Sequence, residues 1–170
     1  MRRLAACVLM IVATWIVPAM LATAQSPVPA GLVGAWELTT RTVQRADGAA
    51  LADPVLGGKP IGRLFYDASG VMALQMMRLG RNAAIGTPAT PTNAANQRVV
   101  LGYDAYFGRY SVDSRAGTIT HRVEGSLFPE DLGKDFVRNF TLDGDTLTLK
   151  FTSVADGSEI TRTLVFRRSR

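Results

Sequence analysis

His121 is the only histidine in the chain, so any imidazole chemistry must pass through it. It alternates with Ile119 and Val123, and residues two apart on a strand share a face. The opposite face carries Thr118, Thr120, Arg122 and Glu124. In a small all-β domain the apolar face turns inward, which places His121 inside. A buried imidazole needs hydrogen-bond partners, and its proton affinity moves readily across neutral pH. His121 is thus the candidate acid, base or ligand-orienting group, with a satisfied core histidine as the plainer alternative. Glu124 precedes Gly125-Ser126. A bulge there would turn it inward as the catalytic partner of His121, should the protein be an enzyme, or pair it with Arg138 or Arg109.

Arg138 shares a face with Phe136 and Phe140, an unusual place for a solvated arginine. Such an arginine pairs with a carboxylate, stacks on a ring or binds an anion. An internal Glu124–Arg138 salt bridge that sets strand register is the structural alternative. Arg63 alternates with Ile61 and Phe65, and Gln75 with Val71, Ala73 and Met77. Tyr66, Tyr106 and Tyr110 bring hydroxyls from neighbouring strands. The candidate ligand-binding set is Arg63, Gln75, Tyr106, Tyr110, His121 and Arg138, a few polar groups converging in an apolar lining. Met72, Met76 and Met77 suit an adaptable wall. In an enzyme, Arg138 with Tyr106 or Tyr110 would steady developing negative charge. One histidine, and no cysteine beyond Cys7, offers no zinc or copper set. No nucleophile elbow, phosphate-binding loop or dinucleotide fingerprint appears, and no cofactor is implied.

These residues need strands to hold them. Leu32–Val43 reads as a first strand with Trp36, Leu38, Thr40 and Thr42 on one face. Ile61–Tyr66 and Val71–Met77 follow, joined by Asp67-Ala68-Ser69-Gly70. Tyr106–Asp113, Thr118–Glu124, Phe136–Leu142, Thr146–Thr152 and Ser158–Arg168 complete eight, with Asp143-Gly144 a strong hairpin signal. Residues 78–104 are the long interruption. Pro91–Gly102 within them reads as a short helix, a lid between the third and fourth strands. The expected fold is all-β: a closed eight-stranded antiparallel barrel, its edges abolished by closure. At eight strands the interior just holds side chains or one small ligand.

Residues 1–24 read as a signal peptide: Arg2-Arg3, an apolar run from Leu4 to Leu21, then Ala22-Thr23-Ala24 with cleavage before Gln25. Cleavage removes Cys7 and both early arginines, and no stable membrane anchor remains. The expected destination is the periplasm or the medium. Residues 25–30, with Pro27 and Pro29, form a flexible lead-in to a domain over 31–170. Basic residues are scattered, which excludes a nucleic-acid stripe. Oligomeric state is not encoded in any pattern here.

Gly34-Ala35-Trp36 is the G-x-W that opens lipocalin-type barrels. Gly62-Arg63-Leu64-Phe65-Tyr66, Gly70-Val71-Met72, Gln75-Met76-Met77-Arg78, Tyr106 to Asp113, Thr118 to Pro129 and Arg138-Asn139-Phe140 follow in order. As a set they resemble the bacterial and fungal lipocalin-like domain family over roughly residues 31–168. The resemblance implies a calycin-type barrel and no agreed activity. It also implies that Trp36 stacks under an arginine of the last strand, Arg162 or Arg167. Arg122 stands where many relatives carry a second histidine, which weakens any role needing two imidazoles. The expected function is binding of a small apolar or amphipathic molecule. The alternatives are a small-molecule cyclase, isomerase or hydrolase, and an envelope protein acting through its outer surface.

Overall fold

The structure, a computed structural model, describes residues 28–53, 55–80, 102–155 and 157–170. Its strands are β1 (Gly34–Arg45), β2 (Ala50–Leu51), β3 (Pro60–Tyr66), β4 (Val71–Arg78), β5 (Tyr103–Asp113), β6 (Thr118–Ser126), β7 (Asp135–Asp143), β8 (Thr146–Ala155) and β9 (Ser158–Arg168). Each long strand pairs antiparallel with the next, and β1 returns to β9 to close an eight-stranded barrel. The two-residue β2 folds back on the end of β1. A 3-10 turn at Pro129–Asp131 is the one helical element among the described residues. The expected helix over Pro91–Gly102 falls outside them, apart from Gly102.

Alternation explains most of the wall. Along β6 Ile119, His121 and Val123 point in; along β9 Ile160, Leu164 and Phe166 do so. The β7–β8 hairpin closes at Asp143↔Thr146, so Gly144-Asp145 forms its tip, one residue beyond the expected Asp143-Gly144 turn. Two bulges break the rhythm. In β1 the pairing steps from Leu38↔Phe166 to Thr40↔Val165, leaving Thr39 as an extra residue. Beyond it the inward phase shifts to Arg41 and Val43, where strict alternation puts Thr40 and Thr42. In β6 Glu124 is the extra residue, between Gly108↔Val123 and Phe107↔Gly125. Gly108 is forced at that crossing, because a Cβ there would strike the carbonyl oxygen of Arg122.

The barrel's two ends differ. At the end where β1 begins, Trp36, Leu64, Met72, Leu147 and Phe166 fill the interior. The Trp36 indole N–H donates to the Leu32 carbonyl at 2.9 Å, drawing the preceding segment across this end. Arg168 lies over the Trp36 ring, 4.3 Å from its centroid, and donates to the carbonyls of Gly31 and Val33. The expected stack exists, but Arg168 makes it rather than Arg162 or Arg167: Arg167 points outward, and Arg162 lies three pleat repeats earlier on β9.

At the other end two pairs of adjacent strands part, on either side of the intact β8–β9–β1 wall. The β7–β8 ladder stops at Asn139↔Lys150, leaving residues 135–138 and 151–155 unpaired with each other. The β1–β3 ladder stops at Glu37↔Arg63.

Candidate functional site

His121 is fully buried, held from both sides. The Tyr66 hydroxyl lies 2.6 Å from its Nε2 and the Tyr106 hydroxyl 2.8 Å from its Nδ1. Tyr110 packs its ring 4.5 Å from that of Tyr66 and donates its hydroxyl to the Asp67 carbonyl at 2.7 Å. Burial, reinforced by the Arg138 charge, pushes the His121 pKa well below its ordinary 6.5, so the ring is neutral. Burial also raises Tyr66 well above 10, and takes Tyr106 to about 12. A neutral imidazole offers one donor and one acceptor, so one tyrosine donates to it and the other accepts.

Arg138 sits beside this cluster and is buried, 6% exposed. Its guanidinium carbon lies 4.6 Å from the Phe151 ring centre, 5.1 Å from that of Phe136 and 5.7 Å from that of Tyr106. It donates to the Phe136 carbonyl at 3.1 Å, while its Nε is buried with no acceptor. Above it lie Arg162, which donates to the Ser153 hydroxyl, and Arg41, which is paired with Asp53. Asp53 also accepts from the Val55 and Leu56 amides, at 2.9 and 2.7 Å, and so ties the loop after β2 to the barrel. Burial and, after it, the Arg162 charge lower the Arg41 pKa to about 10, with Asp104 working the other way. Burial raises Asp104, against the charges of Arg41, Arg138 and Arg162.

These groups face the gap where β7 and β8 part. A hollow of about 340 Å³ there is lined by Arg41, Phe136, Arg138, Phe151, Ser153 and Arg162, among others. A second hollow, about 500 Å³, occupies the β1–β3 parting and shares Arg41.

Of the expected site residues, His121, Tyr106, Tyr110 and Arg138 come together inside the barrel. Glu124 does not join them. The bulge forms at Glu124, yet its carboxylate points outward to Arg109 at 3.6 Å, so neither a His121–Glu124 pair nor a Glu124–Arg138 bridge exists. Arg63 and Gln75 also face out. Arg63 pairs with Glu37 at 3.1 Å, and Gln75 accepts from the Tyr103 hydroxyl at 2.7 Å. Both line an outer hollow of about 450 Å³ with Ile61, Phe65 and Met77. Their strands carry apolar residues on both faces, and the exposed ones mimic a core stripe. Of the three methionines, Met72 and Met76 line the core.

Sequence reading missed Arg41, Asp53 and Asp104 and gave Arg162 a different role. Arg162 was legible, since it alternates with Ile160 and Leu164. Arg41 was hidden by the Thr39 bulge, which no local residue pattern announces.

The fold defines a closed eight-stranded antiparallel barrel with a polar cluster in its interior. The lipocalin-like domain family matches residues 33–169, and the chain belongs to it. No match to a curated protein is found. Among solved structures, lipoprotein YedD from Klebsiella pneumoniae is similar, with 14% identity, a TM-score of 0.41, and coverage of 86% of this chain and 78% of that one.

Proposed function

We propose that the protein binds a small amphipathic molecule inside its barrel. The observation that carries this reading is the parting of β7 from β8, which opens onto Phe136, Phe151 and buried arginines instead of a packed core. Aromatic walls with a few fixed polar groups are the usual lining of a small-molecule site. Residues 1–24 support export, so the ligand would be met outside the cytoplasm. His121 serves this reading as scaffold. Its two ring nitrogens are occupied by tyrosines, and it lines none of the three hollows described above. The outer-surface reading has one observation in its favour. Phe65, Ala73 and Phe107 form a cross-strand row on the outside of β3–β5, with both phenylalanines more than 40% exposed.

Native mass spectrometry of the exported protein tests the binding reading. A mass excess of a few hundred daltons, released by organic solvent, is expected. A protein that carries nothing and takes up no amphiphile from a mixed panel would refute it.

A further inference from the structure

The cluster at the split end holds more cationic than anionic groups. Three guanidiniums, from Arg41, Arg138 and Arg162, share it with two carboxylates, Asp53 and Asp104. Asp53 is committed to Arg41. Asp104 comes within ion-pair distance of no arginine among the described residues, and Asp135, at the rim, turns outward to Arg122 at 3.2 Å. Among the described residues, Arg138 and Arg162 are therefore left without a carboxylate partner. An arginine has five N–H donors, and a buried donor without an acceptor keeps the full cost of its lost hydration. Arg138 uses one bond, to a carbonyl, and its buried Nε has none. Ring stacking on Phe136 and Phe151 fixes its plane but supplies no acceptor. A planar guanidinium so held is set up to receive an oxyanion by paired hydrogen bonds.

We infer that Arg138 and Arg162 bind the oxyanion head of the ligand, a carboxylate, sulfonate or phosphate, whose apolar part lies along Phe136 and Phe151 in the β7–β8 opening. This rests on the binding reading above and names the chemical class of the ligand. Arg41, held by Asp53, backs the site with charge instead of donating to it.

The test is a calorimetric titration of the purified protein with dodecanoate, dodecanol, acetate and inorganic phosphate at one ionic strength. Dodecanoate is expected to bind at least about tenfold more tightly than dodecanol, since only the former has an oxyanion to pair with the buried donors. Arg138→Gln and Arg162→Gln should each remove most of that advantage and leave dodecanol binding where it was. Dodecanol binding as tightly as dodecanoate in the unmodified protein overturns the inference while leaving amphiphile binding intact. This comparison needs no variant to fold. Acetate or phosphate binding as tightly as dodecanoate supports the oxyanion site and assigns it to a free small anion, against an amphiphile. Binding of none of the four overturns both the inference and the reading beneath it.

Discussion

Tyr66 and Tyr106 reach His121 from β3 and β5 and leave neither ring nitrogen free. Removing one hydroxyl strands a buried polar atom, which costs more than the hydrogen bond alone. Tyr66→Phe should therefore lower stability by about 1–3 kcal/mol in urea unfolding, with the slope against denaturant unchanged. The same cluster sets a pH window. Because the His121 pKa lies well below 6.5 in the fold, the unfolded chain binds the extra proton first. Stability is then full above pH 6.5 and falls below it, by up to about 1.4 kcal/mol per pH unit. Tyr106, raised to about 12, acts at the other limit: the folded state keeps its proton longer, so stability drops as pH rises past 10. A melting-temperature profile should show a plateau between these limits, and His121→Asn should flatten its acid side. An acid side unchanged in that variant would place the titration elsewhere. At this scale, the inward pair His121 and Arg138 was readable because each alternates with apolar neighbours on its strand, Ile119 and Val123 for the first and Phe136 and Phe140 for the second. Arg63 and Gln75 follow the same pattern and point outward, because the half-exposed Ile61, Phe65 and Met77 do too.

Regular strands were legible and their irregularities were not. The turns at Asp67-Ala68-Ser69-Gly70 and Ser114-Arg115-Ala116-Gly117 separate runs that pair as alternation requires. A bulge adds one residue and reverses every face beyond it, and nothing at Thr39 marks the change. That step brings Arg41 inside, and a charge brought inside must be met. Asp53 meets it from the loop after β2, a partner twelve residues away that only the folded loop reveals. Both side chains are almost wholly buried. Removing one partner leaves the other charge uncompensated, so Asp53→Asn should cost about 3–5 kcal/mol. Arg41→Met in that background should restore a large part of it, because the uncompensated charge is gone. A double-mutant cycle on chemical unfolding measures the difference. Strict additivity of the two changes would mean that the pair contributes nothing beyond its separate packing.

Across the whole barrel, one end is sealed and the other is parted. Trp36, Arg168 and the segment from Val28 seal the first with stacking and backbone hydrogen bonds. The second end interrupts its own wall at β7–β8 and places three arginines behind the gap. A closed ladder protects every amide that points along it, whereas a parting exposes those that face across it. Antiparallel strands direct successive amides to alternate neighbours. In residues 135–138 and 151–154 roughly half should therefore lack a partner, the rest being bonded to β6 and β9. Hydrogen exchange by mass spectrometry should show these stretches as two populations, one exchanging within minutes. The β1–β9 ladder, paired without a gap from Trp36↔Arg168 to Arg45↔Ile160 apart from its bulge, should stay protected for hours. Bound amphiphile should slow the fast population by filling the opening, and leave β1–β9 as it was. Uniform protection around the ring would mean that the wall is closed in solution at β7–β8, and that a ligand must enter elsewhere.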